Sequence, residues 1–158
     1  MANTQAMTTS FLGELMTATH NFGVAPIRAA TTADTFKAAL YLTSATVNAA
    51  TTAYSSSGEV TGTNYTAGGV TVTNATAPIA TNSSATAGVA YWTPSASITY
   101  TTVTLSTAFD AVLIYNSTQS NKAVSVHTFG SQTITAGTFT LTMPSNSTTT
   151  ALLRLSTT

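Results

Sequence analysis

From Asp34 onward, apolar and polar positions alternate with a period of two, the pattern of strands that bury one face. Phe36, Ala38, Leu40 and Leu42 alternate with Lys37, Ala39, Tyr41 and Thr43, and Val70 and Val72 alternate with Thr71 and Thr73. Short apolar stretches follow at Val89–Trp92, Ile98–Tyr100 and Val103–Leu105. The continuous run Ala111-Val112-Leu113-Ile114, inside Phe109–Tyr115, predicts a central strand covered on both faces. The polar turn Asn116–Asn121 and the alternation of Lys122–Phe129 predict an antiparallel hairpin. A second hairpin is predicted where Thr133–Thr135 and Thr138–Met143 flank Ala136-Gly137, and Ala151–Leu155 reads as a last strand. The stretches 43–57, 74–88 and 144–150 read as loops, with turns at Gly58–Gly62 and Ala67–Gly69. Eight or so short strands with frequent turn signals predict an all-β fold, an antiparallel β-sandwich that is jelly-roll-like, with its strand order open.

The N-terminal region has a different period. Phe11, Leu12, Leu15 and Met16 recur at helical spacing, and Thr9 or Ser10 is available as a cap. Residues 1–30 are therefore expected to form an arm or short helix, and residues 31–158 a single β-sandwich domain.

Composition changes how the surface is read. Charged residues are 5% of the chain, against about 25% in ordinary domains. Threonine, β-branched and suited to a pleated surface, takes up much of the difference. Solubility then rests on hydroxyls and amides, and a formal net charge of +0 favours association. Arg28, Lys37, Lys122 and Arg154 are scattered and matched by Glu14, Asp34, Glu59 and Asp110, so a phosphate-binding cluster is absent and neither nucleic acid nor an anionic membrane is an expected partner. The first residues lack a basic stretch followed by an apolar one, so synthesis in a cytoplasm is expected.

Candidate chemistry is sparse. The chain lacks cysteine, which removes disulfides, thiolate metal sites and a cysteine nucleophile. Ser125, His127 and Asp110 are the conceivable triad, but His127 reads more simply as a strand residue bonded to a neighbouring hydroxyl. His20 lies at the boundary between helix and sheet. Ala67-Gly68-Gly69 is not followed by the Lys-Ser/Thr and helix of a phosphate loop. Tyr54, Tyr65, Tyr91, Trp92 and Tyr100 form either a glycan-stacking platform or the closed ends of a sandwich. Sequons at Asn64, Asn74, Asn82, Asn116 and Asn146 are what a chain this rich in Ser and Thr produces by chance. No enzyme activity, cofactor or metal is expected.

Several phrases carry a resemblance. Asp34-Thr35-Phe36-Lys37-Ala38-Ala39-Leu40-Tyr41, Gly58-Glu59-Val60, Tyr65-Thr66-Ala67-Gly68-Gly69-Val70 and Ala111-Val112-Leu113-Ile114-Tyr115-Asn116 follow one another in order. Phe129-Gly130, Thr138–Pro144 and Leu153-Arg154-Leu155 complete the set. In this order they resemble a family of small structural proteins of tailed-bacteriophage virions. The resemblance implies a capsid decoration (cement) protein, a homo-oligomer with a trimer favoured. It would sit on the outer head surface and bridge major capsid subunits, with Phe11, Leu12, Leu15 and Met16 as the capsid or subunit contact. The alternatives are a neck or tail component, for head completion or fibre attachment, and a receptor- or glycan-binding module.

Overall fold

The computed structural model describes residues 3–16, 18–20, 22, 33–73, 78–81 and 88–156, apart from the side chains of Leu12 and Met16. In chain order the elements are β1 (Ala6–Met7), α1 (Thr9–Met16), β2 (Phe36–Leu42), β3 (Val70–Thr71), β4 (Ile79–Ala80), β5 (Val89–Trp92), β6 (Ile98–Asn116), β7 (Lys122–Leu141) and β8 (Leu153–Ser156). They form two antiparallel sheets, one ordered β1-β7-β6-β2-β3 and a smaller one ordered β4-β5-β8. The fold is all-β and sandwich-like, as the period-two pattern predicts.

The central run lies where expected. Ala111, Val112, Leu113 and Ile114 pair with Tyr41, Leu40, Ala39 and Ala38 on β2 and with the start of β7 on the other side. All four are buried, because both faces of this part of the sheet are covered. One face carries Phe36, Ala38, Leu40, Val112, Ile114 and Val124; the other carries Ala39, Tyr41, Leu113, Tyr115 and Val126. β2 is therefore buried on both faces, not on the one its alternation suggests. The loop 43–57 supplies the second cover, where Ala45 and Val47 are small enough to lie close against the strands.

The three short strands read between Ile98 and Tyr115 are one strand, β6, and the second hairpin does not form. Thr133–Thr135 and the segment from Thr138 both lie in β7, with Gly137 opposite Val103 and Leu141 opposite Ile98. Ala136 has a φ of 46° and its amide donates to Thr104 Oγ1 at 3.0 Å, so Ala136-Gly137 marks an irregularity in a continuous ladder. The first hairpin forms as predicted, closed by Asn116, whose side-chain oxygen accepts the amides of Thr118 and Gln119.

The β6–β7 ribbon doubles back. Phe129 and Phe139 are ten residues apart on β7, which a straight strand would separate by about 33 Å. Their ring centroids are 5.0 Å apart, and both meet Phe109 of β6 edge-on at 5.8 and 5.3 Å. The register shifts between Leu105, Phe109 and Ala111 make the bend, and Gly130 lies on β7 within it. The ribbon's outer arm then covers the first face of the sheet, and Tyr100 reaches Ala38 O at 2.7 Å. Phe109, fully buried at the centre of this cluster, contributes about 1.5–3 kcal/mol, and Phe129 and Phe139 are partly buried against it.

The N-terminal segment packs on the same sheet. β1 pairs with β7 through Ala6↔Val126 and Met7↔Ser125. Helix α1 forms where its period indicates, but it begins at Thr9, so Thr9 and Ser10 lie inside it. The preceding Thr8 is fully buried and its hydroxyl lies 3.1 and 3.3 Å from the carbonyls of Ala123 and Val124 on β7. The 74–88 stretch, read as a loop, contains strand β4 at Ile79–Ala80, which pairs with β5; residues 74–77 and 82–87 lie outside the described set.

Two glycines differ in a way that tests this packing. Gly69 has a φ of 71°, and a Cβ there would stand 1.6 Å from the Ala38 carbonyl oxygen, whereas a Cβ on Gly130 would meet nothing within 4 Å. Gly69→Ala is expected to cost about 3 kcal/mol or more in urea unfolding, and Gly130→Ala to stay within about 0.5 kcal/mol.

Candidate functional site

The chain has four carboxylates, and each accepts an internal hydrogen bond. They organise two buried polar constellations, and a third forms around His127.

The first centres on Glu59, at the turn after loop 43–57. Its Oε2 accepts the Tyr54 hydroxyl at 2.6 Å, and its Oε1 accepts the Tyr65 hydroxyl and the Gly68 amide, both at 2.7 Å. Tyr65 Oη also accepts the Leu40 amide at 3.0 Å, so the network joins the backbone of β2. Tyr54 stacks on Tyr115 at 4.7 Å and Tyr65 on Tyr100 at 5.9 Å, while the Tyr115 hydroxyl donates to Gly68 O at 2.8 Å. Burial, and next the negative charge of Glu59, raises the pKa of Tyr54, Tyr65 and Tyr100 well above the ordinary 10. Burial also pushes Tyr41 up to about 12, and its hydroxyl donates to Ser55 O. These phenols remain protonated donors.

The second runs through the first hairpin turn. Lys122 Nζ and His20 Nε2 both lie 2.6 Å from the Glu14 carboxylate. On the far side of the ring, His20 Nδ1 is 3.0 Å from Asn116 Nδ2, which also donates to Asp34 Oδ2 at 2.8 Å. An amide nitrogen only donates, so Nδ1 is the acceptor and the proton of the neutral ring sits on Nε2, facing Glu14. Asn116 is fully buried and satisfied at both side-chain atoms. Burial is the largest influence on His20 and lowers its pKa below 6.5, against the raising effect of Glu14. Burial also raises Glu14, but the bonds from Lys122 and His20 outweigh it and hold that carboxyl below its ordinary value.

The third is the Ser125–His127 pair. The two side chains lie on one face of β7, with Ser125 Oγ 2.9 Å from His127 Nε2, in a cleft that Gln5, Met7, Leu152 and Arg154 also line. The hydroxyl neighbour read from the alternation of β7 is therefore Ser125. Burial alone lowers His127 to about 4, so the ring is neutral. Asp110 does not complete a triad: it stands at a register shift in β6 and its carboxylate accepts Asn3 Nδ2 at 2.5 Å. Ser125 is itself only 1% exposed. The geometry is that of a buried hydroxyl satisfied by a neutral ring. Among the described residues, no group of three His, Asp or Glu side chains could hold a metal ion.

The apolar residues read as a contact set are divided. Phe11 is 2% exposed, edge-on to His20 and Phe22 at 4.9 and 5.8 Å, and so covered by its own chain. Leu15 is half-buried and lines an apolar groove with Met7, Phe22, Tyr91, Trp92 and Leu155. The side chains of Leu12 and Met16 lie outside the described residues. The five aromatics do not share a platform either. Tyr54 and Tyr65 bond to Glu59, Tyr100 stacks on Tyr65 and donates to Ala38 O, and Trp92, buried beside Phe22 and Phe36, lines the groove with Tyr91. Sequence reasoning missed Glu59 and Asn116 as organising residues. An acidic residue alone in an uncharged, Ser-, Thr- and Gly-rich stretch was the available signal for the first.

Compared with family models, curated proteins and solved structures, the chain matches none.

Two outcomes follow from these networks. Tyr65→Phe removes one donor to Glu59 and the acceptor for Leu40 N–H, and is expected to cost about 2–4 kcal/mol in urea unfolding with the fold retained. Both histidines sit below their ordinary value in the fold. The unfolded chain therefore binds more protons between about 4 and 6.5, and stability rises with pH across that window. His127→Gln is expected to flatten that slope when unfolding free energy is measured against pH. An unchanged slope would contradict the burial of a neutral His127.

Proposed function

We propose that this chain is a structural subunit of a tailed-phage particle, and within it a decoration subunit that binds the outer head surface and bridges major capsid proteins. The observation that carries the reading is where the resembling phrases fall in the fold. Asp34 and Asn116 bond to each other, and Gly58-Glu59-Val60 and Tyr65–Val70 build the Glu59 network. Phe129-Gly130 lies in the ribbon bend, and Phe139 packs inside it. These phrases mark joints of a fold, which suits a family defined by assembly.

The charge economy supports the same reading. Glu14, Asp34, Glu59 and Asp110 are all engaged internally, and Lys122 with them. What faces outward is mainly threonine, serine and small residues, a surface suited to permanent packing against other subunits. The division of the aromatics removes support from a glycan platform, because Trp92 is 2% exposed, two of the tyrosines are bonded to Glu59 and Tyr100 is buried and bonded to Ala38 O.

The test is quantitative mass spectrometry of purified particles of the phage that encodes the chain, with and without its gene. Decoration predicts copy numbers comparable with the major capsid protein, and heads that release DNA at lower temperature when the chain is missing. A handful of copies would move the assignment to the neck or tail, and absence from the particle would overturn it.

A further inference from the structure

Among the described residues, the sheets of this fold have a long open edge. β1 covers β7 only at Ser125 and Val126, and the return arm of β7 pairs with β6 alone. From Ser131 to Leu141 the outer backbone of β7 has no strand beside it among the described residues, a length of about 35 Å. The equivalent flank of β6 is bridged at its middle, where Thr63 and Thr104 exchange both backbone bonds at 3.1 Å and Asn64 Nδ2 caps Thr102 O.

The other edges are blunted in the usual ways. β1, β3 and β4 are two residues each, and β8 carries Arg154. The return arm of β7 has no such device beyond the irregularity at Ala136: the run Thr128–Met143 contains no charged residue and no proline. Its outward side chains, Thr133, Thr135, Thr138 and Thr140, are exposed, while Ile134, Phe139 and Leu141 turn partly inward.

We propose that this edge, Ser131–Leu141 of β7, is the surface by which two copies of the chain associate, pairing antiparallel about a two-fold axis. Two features select a second copy over an unrelated strand. An edge without charge meets no like-charge repulsion when it faces itself, and offers none of the charge that would select a different partner. The centre of the segment is also symmetric about Ile134, with Thr133 mirroring Thr135. A two-fold axis near Ile134 sets Thr133 of one copy against Thr135 of the other, a favourable cross-strand pair. The contact is isologous and closes on itself, so the edge is used up in a dimer and does not propagate into a fibre. The pairing is a property of the purified chain and does not depend on the virion reading.

The test is sedimentation equilibrium over micromolar to millimolar concentration. The full chain is expected to show twice the monomer mass. A Thr133→Lys/Thr135→Lys chain and a Thr133→Glu/Thr135→Glu chain are each expected to sediment as monomers with unchanged circular dichroism, and an equimolar mixture to regain the doubled mass. A monomeric wild-type chain, a doubled mass that survives the lysine substitutions, or a mixture that stays monomeric would each overturn the pairing. Should either variant fail to fold, amide exchange on the wild-type chain decides. Outward amides of Ser131–Leu141 must gain protection as concentration rises, and unchanged exchange there overturns the proposal.

Discussion

The fold depends on a buried carboxylate. Glu59 takes hydrogen bonds from a tyrosine in the preceding loop, a tyrosine in the following turn and the Gly68 amide. Taking a carboxylate out of water costs several kcal/mol, and only donors held in place repay it. Here the donors belong to segments with little apolar content of their own. Without the charge at their centre, Tyr54, Tyr65 and Gly68 would have no common reason to converge. With it, the residues between β2 and β3 become a fixed cover. Val60 N bonds to Leu40 O, Leu42 N to Gly58 O and Leu40 N to Tyr65 Oη, which closes the flank of β2 that the short β3 leaves open.

The ribbon's return is tied to the same place. Tyr100, on the outer arm, stacks on Tyr65 and donates to Ala38 O, next to the point where Gly69 touches the same carbonyl. The Phe109–Phe129–Phe139 cluster fills the inside of the bend. The two halves of the sandwich are thus joined at the bend by aromatic packing and across the middle by hydrogen bonds that lead back to Glu59. The Asn116 network does the corresponding work at the other end, holding His20, Asp34 and the hairpin turn together.

The sequence showed the local signals clearly and the long-range ones poorly. Ala111–Ile114 announced a strand covered on both sides, Asn116–Asn121 a hairpin turn and Phe11–Met16 a helix, because each signal is local. The continuity of β6 and β7 was hidden, because Thr-rich alternation broken by Ala136-Gly137 is the local signature of a turn, and only pairing with β6 keeps the strand going. The second buried face of β2 was hidden for a related reason: Ala39, Ala45 and Val47 are small, and their burial follows from a loop lying down on the sheet. Of the candidate site, the His127–hydroxyl contact was legible from alternation, whereas the partners of Glu59 lie at spacings that no motif records.

A chain with so few charges can still be specific if its carboxylates are bonded internally, and here all four are. Glu59 is the charge on which the most segments converge, so the amide it accepts reports the account directly. Native-state hydrogen exchange of the Gly68 N–H measures the free energy needed to open that bond. If Glu59 organises the fold, Gly68 exchanges only through global unfolding, with the same free energy that denaturant titration gives for the whole domain. Exchange at the low free energy of an exposed surface turn would contradict it.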